Sequence, residues 1–184
     1  MTTGAKIIEE KEVLLVKRIW NFIMGGHKPP FLTRIILLAS LVSFFYYFLW
    51  NTFRYFALLF IDTIDNPEKI KANMQSLGEK HGIDEALSSF SQFFLAMILI
   101  QVIILVSMIF VYRRQVWGYY LFVVGQICAL VAPVAFLSWD YFMDEIDFLD
   151  KAVPIAMIIL FGISMMRLKR VKKNAERERI MRQL

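Results

Sequence analysis

The sequence has one cysteine, Cys128, and only two histidines, His27 and His81, in 184 residues. A single thiol excludes an intrachain disulfide framework. The two histidines lie on opposite sides of the long apolar runs, so no two-histidine metal site forms within one chain. Cys128 has no histidine in its own apolar run, and neither a Gly-rich phosphate loop nor a Gly-x-Ser-x-Gly elbow occurs. Charge is scarce where it would be most costly. The central portions of the second, third and fourth apolar runs hold no Asp, Glu, Lys, Arg or His. Proton-coupled pumps and acid/base membrane enzymes need a group there that changes charge. These absences point to a non-catalytic protein with no metal and no cofactor.

What is abundant is apolar: 58% of residues are hydrophobic, 17 are Phe, and the mean hydropathy is +0.55. A soluble domain needs less for its core. Four runs, at about 35–61, 90–112, 116–139 and 148–166, reach the roughly 20 residues a membrane-crossing helix requires. In lipid the backbone must satisfy its own polar groups, so the runs are helices. The expected fold is all-α, a polytopic membrane protein with four transmembrane helices in an antiparallel bundle over 35–166. A cytoplasmic arm, 1–34, precedes the bundle and a basic tail, 167–184, follows it. Met1 to Lys28 lacks the layout of a cleavable signal peptide, so the arm is expected to be retained.

The connecting segments differ sharply in charge. The arm, the Arg113–Arg114 turn and the tail together carry 16 basic and 5 acidic side chains; the rest of the chain, which forms the opposite face, carries 5 basic and 11 acidic. Basic loops stay in the cytoplasm, which places both termini there, in a plasma or bacterial inner membrane. Arg113 and Arg114 then mark a tight cytoplasmic turn beside an aromatic belt of Trp117, Tyr119 and Tyr120. Arg113, Arg114, Arg167, Lys169, Arg170, Lys172 and Lys173 are assigned to anionic lipid headgroups, each worth about 1 kcal/mol. Nucleic acid is disfavoured, because no base-stacking aromatic pattern accompanies the charge. In the arm, "KEVLLVKRIWNFIMGGHKPP" places Lys17, Arg18 and Asn21 on a narrow polar stripe. That helix reaches only about 18 Å, so it lies in the interface or packs against a partner subunit. Gly25, Gly26, Pro29 and Pro30 end it.

In the first outer loop, Asn66-Pro67 and Gly82 bracket Ile70, Met74 and Leu77, which recur at helical spacing. In the second, Asp140, Asp144 and Asp147 fall at i, i+4 and i+7, as do Phe142, Ile146 and Leu149 on another face, which suggests a solvated helix turn. Inside the spans, Gln101 and Gln126 lie equally far from the Arg113–Arg114 turn and therefore at equal depth. Two readings stand: a hydrogen-bonded pair worth about 0.6 to 2 kcal/mol, or the polar lining of a solute path. Gly125, Ala129 and Ala132 form a small-residue strip, and Pro133 bends the third span as a static kink or a hinge. Arg54 lies about 30 Å beyond Arg34, at the outer interface. Its expected partners are Asp140 and Asp144, or lipid phosphate.

The segment "RRQVWGYYLFVVGQICALVAPVAF" resembles a pattern in small uncharacterised four-span membrane proteins of Bacteroidota, carried by Arg114, Trp117, Gly118, Tyr119, Gln126 and Pro133. The resemblance covers a small part of the chain and implies topology without an activity. The leading expectation is a structural or accessory component of a membrane assembly. The competing one is a small oligomeric transporter or channel for a neutral or weakly charged solute. Expected partners are anionic lipid, a second copy of the chain or another membrane protein.

Overall fold

The computed structural model describes residues 29–181. The interfacial helix expected in the arm lies outside the described residues. The chain forms α1 (Phe31–Leu59), a 3-10 turn (Ile61–Thr63), α2 (Pro67–Lys80), α3 (Ala86–Tyr112), α4 (Val116–Phe136), α5 (Trp139–Asp144) and α6 (Phe148–Met181). Four of these, α1, α3, α4 and the first part of α6 (Phe148–Val171), are long and apolar enough to cross a membrane. At most 39% of each spanning window is buried inside the chain, so most of its apolar surface needs lipid. The protein is a multi-pass integral membrane protein with an all-helical bundle.

Neighbouring helices pack in a square: α1 on α3, α3 on α4, α4 on α6, and α6 back on α1. The α3–α4 edge is the closest, and its small residues explain why. A Cβ on Gly118 would come within 2.5 Å of the Val111 backbone nitrogen, and one on Gly125 within 2.7 Å of Ile104 Cγ1. Ala129 and Ala132 continue the strip, buried among Phe90, Phe93, Phe94 and Met97. The hairpin between these helices closes in a Schellman motif. Gln115 N–H donates to the Phe110 carbonyl at 3.0 Å and Arg114 N–H to that of Val111 at 2.9 Å. Arg114 takes the left-handed conformation this requires, with φ 57°, at a cost of about 1 kcal/mol for a residue with a Cβ. Helix α2 ends the same way, with Gly82 at φ 69°. Its start follows the Asn66-Pro67 signal, with Pro67 in the first turn.

Two differences from the sequence reading fall at the second outer loop. Trp139 belongs to α5 and not to the third span: α4 ends soon after Pro133, and Ser138 Oγ accepts the Tyr141 N–H at 3.0 Å to start a new helix. Helix α5 itself stops at Asp144, so Asp147 does not share a helix face with Asp140 and Asp144. The fourth span and the basic tail are one helix of 34 residues. At 1.5 Å per residue it reaches about 51 Å, leaving roughly 20 Å beyond a hydrocarbon core of about 30 Å.

Two apolar clusters fill the bundle. One, at the Arg113–Arg114 end, joins Ile36, Phe44, Met108, Val111, Phe122 and Phe161. The other, at the α2–α5 end, joins Ile83, Phe90, Phe94, Met97, Ala132 and Leu137, with Met74 and Leu77 of α2 packed on it. The close approach at Gly118 yields a prediction. Gly118→Ala should destabilise the protein by about 1–3 kcal/mol, because backbone atoms of Phe110 and Val111 stand in the way. Gly125→Ala should cost less, since its Cβ meets only the Ile104 side chain, with the nearest Ile104 backbone atom 3.9 Å away. Denaturant unfolding in mild detergent checks the order.

Candidate functional site: a polar cavity behind the α1–α6 seam

Helices α1 and α6 run antiparallel, and their seam carries polar rungs seven residues apart. Thr33 Oγ1 and Ser164 Oγ are 2.7 Å apart, Ser40 Oγ lies 3.4 Å from Met157 Sδ, and the Tyr47 hydroxyl donates to Asp150 Oδ1 at 2.8 Å. Thr33, Ser40 and Tyr47 fall at one heptad position of α1, so they line one stripe of a helix wound at 3.5 residues per turn. Ser164, Met157 and Asp150 descend α6 at the same interval. The central rung is the weakest, because thioether sulfur is a poor acceptor and Ser40 Oγ also donates to the Ile36 carbonyl at 2.8 Å. Tyr119 of α4, 2% exposed, packs edge-on against Phe161 of α6 with 6.1 Å between ring centres, bringing a third helix to this end of the seam.

Behind the seam, beyond the second rung, the four helices enclose a cavity of about 210 Å³. Its aromatic wall includes Phe44, Tyr47, Trp50, Phe93 and Phe94. The α5–α6 end carries Glu145, Asp147 and Asp150, of which Glu145 and Asp147 are exposed, so the cavity meets water there. At the opposite end the lining stops at the Ser40–Met157 rung and Ile104. Beyond them the first apolar cluster fills the bundle, with the Phe122 and Phe161 rings stacked 3.6 Å apart.

Gln101 and Gln126 both line this cavity, as equal depth implies. They are 4% and 9% exposed, yet among the described residues no hydrogen bond joins them or reaches either amide from another side chain. Asn51, 5% exposed, also lines the cavity and spends its amide nitrogen on the Tyr47 carbonyl at 2.6 Å. Pro133 sits on the same wall, where it removes one backbone donor from α4.

Arg54 stands at the rim, its guanidinium 4.4 Å from the Trp50 ring centre and 5.6 Å from that of Phe94. Among the described residues no ion pair links it to Asp140 or Asp144, which are exposed and outside the cavity lining. Aromatic faces, one turn back on α1 and across on α3, are nearer and less hydrated partners for a planar cation than two solvated carboxylates.

The cavity end is tied to α2 by contacts that local sequence spacing does not reveal. His81, 4% exposed, brings Nε2 to 3.1 Å from Glu145 Oε1, and Lys80 Nζ donates to the same oxygen at 2.9 Å. The His81 ring also packs edge-on against Tyr141, 5.5 Å between centres. Read alone, His81 looked like an isolated loop residue; its carboxylate partner lies 64 positions away. Lys80 first, then His81, hold the Glu145 carboxyl below its ordinary range, while burial pushes the Tyr141 hydroxyl above its own.

At the other end, Arg113 and Arg114 are half-buried. Arg167, Lys169, Arg170 and Lys173 are exposed along α6, and the Lys172 side chain is outside the described residues. Lys169 Nζ donates to the Tyr120 hydroxyl at 3.0 Å, so the belt aromatic and a tail cation form one contact. Among the described residues no group of three His, Cys, Asp or Glu could hold a metal ion. No protein-family model, curated protein or solved structure matches the chain.

Two outcomes follow from this geometry. Thr33→Val and Ser164→Ala should be non-additive by about 0.6–2 kcal/mol in unfolding cycles, whereas Thr33→Val and Asp150→Asn, at opposite ends of the seam, should add within about 0.5 kcal/mol. The depressed Glu145 carboxyl keeps its tether to α2 above the carboxylate range and loses it as pH falls through that range and below. Amide-exchange protection factors at residues 78–83, corrected for the intrinsic rate at each pH, should therefore fall in acid, and Glu145→Gln should lower them at neutral pH.

Proposed function

We propose that the protein is a non-catalytic cell-membrane protein that receives a small solute in the bundle cavity, a role of the transport class, with both termini in the cytoplasm. One observation carries the reading. Two glutamine amides, each more than nine-tenths buried, face a cavity without a hydrogen-bond partner among the described residues. Leaving such groups bare in a low-dielectric interior costs about 1–3 kcal/mol each. Water or a ligand group must therefore complete them. A dry, structural glutamine pair would have used its own donors and acceptors.

Charge supports the orientation. The cavity end carries the acidic loops, and the closed end carries Arg113, Arg114 and the basic tail. Under the positive-inside rule, the cavity then faces the extracytoplasmic side. The spans lack a titratable group at mid-depth, which supports passive binding or facilitated passage over proton coupling. A second, compatible reading is an accessory role. It rests on the cytoplasmic extension of α6, whose exposed Arg167, Arg170 and Lys173 suit anionic headgroups and whose exposed Val171 and Met181 suit a partner helix.

Cysteine labelling tests the solute-binding reading. In a Cys128→Ser background, Ser43→Cys and Gln101→Cys should react with a membrane-impermeant thiol reagent added from outside. Leu99→Cys and Val124→Cys, whose wild-type side chains are 58% and 54% exposed toward lipid, should not. Protection of both cavity positions would remove the reading.

A further inference from the structure

We infer that the cavity selects small organic cations, namely amines attached to an apolar or aromatic body. This deepens the solute-binding reading and rests on it. The volume sets the size. About 210 Å³ lies below the roughly 300–1,000 Å³ of ordinary small-molecule sites, so the ligand is small.

Charge sets the sign. Three carboxylates and one guanidinium line the site. Glu145 is already neutralised by Lys80, but Asp147 makes no ion pair among the described residues. Asp150 accepts one hydrogen bond from Tyr47, a neutral donor, and keeps acceptor capacity for another. Arg54 answers neither of them. Its stacking over Trp50 and Phe94 shows that the aromatic wall already accommodates a cation, through the negative faces of the rings. In net charge, Arg54 at the rim offsets one carboxylate, and Asp147 and Asp150 together still leave the mouth net negative, so a cation is drawn in and an anion is not.

The two unpartnered amides set the far end. Gln101 and Gln126 offer carbonyl oxygens to N–H or O–H groups and NH2 donors to a hydroxyl or carbonyl. A cation with an apolar body and a small neutral polar group therefore fills all three zones of the cavity.

The test is calorimetric titration of the purified full chain in mild detergent at neutral pH. The probes share a skeleton and differ in charge: 2-phenylethylammonium, 2-phenylethanol and 3-phenylpropionate. The ammonium should bind saturably, and the alcohol and carboxylate at least tenfold more weakly. Asp150→Asn should weaken ammonium binding at least tenfold. Because it also removes a seam rung, Asp147→Asn serves as the second variant; its exposed side chain holds no structural contact, and it should weaken binding several-fold. Gln101→Leu should weaken it too. Ammonium binding no tighter than that of the alcohol or carboxylate, or unchanged in both Asp variants, overturns the inference. Either result leaves the solute-binding reading to the cysteine labelling, which fails separately if cavity positions are unreactive.

Discussion

Lipid offers no hydrogen-bond partner, so each polar side chain inside this bundle must find one within the chain or in trapped water. That constraint organises the molecule. Thr33 and Ser164 satisfy each other, Ser40 returns to its own helix backbone, and Tyr47 satisfies Asp150. Because those groups sit at heptad spacing, satisfying them fixes the register of α1 against α6. The first and last long helices are thereby joined and the square is closed. Apolar packing alone would do this poorly, since lipid chains are as apolar as leucine and provide no drive for helices to associate.

The opposite edge, α3 on α4, is built by another device. Gly118 and Gly125 let backbones approach, and the approach is reinforced by a tight reversal at Arg114. One edge is thus held by shape and the other by directed polar contacts. The cavity opens beside the second kind of edge, where side chains are long and space is left between the rungs. At its mouth the α2 cap is fastened through Glu145, so the loops that define the opening are ordered by one carboxylate shared between Lys80 and His81. This division of labour suits a binding site: a rigid hairpin behind, and a seam of few contacts in front.

Much of the fold is legible in the sequence, because four long apolar runs and asymmetric loops leave little freedom. The turn at Arg113–Arg114 and the α2 helix between Asn66-Pro67 and Gly82 follow from local chemistry. So does the equal depth of Gln101 and Gln126, since a hairpin is symmetric about its turn. The cavity between them is not legible, because spacing fixes depth but not the distance between helix axes. Arg54 shows a second limit: opposite charge suggested Asp140 and Asp144, while stacking on Trp50 and Phe94 depends on which face of α1 looks inward. The His81–Glu145 contact joins segments far apart in sequence. The seam ladder, by contrast, left a signal, in that Thr33, Ser40 and Tyr47 form a seven-residue polar stripe within an apolar run.

The register of α1 against α6 is the claim on which the closed bundle and its cavity depend, and disulfide trapping measures it directly. In native membranes carrying Cys128→Ser, the pair Ser40→Cys and Met157→Cys should crosslink efficiently on mild oxidation. Ser40→Cys with Ile159→Cys, a residue that faces outward on α6 and is 57% exposed, should not. Equal or preferential crosslinking of the 40/159 pair would contradict the heptad seam.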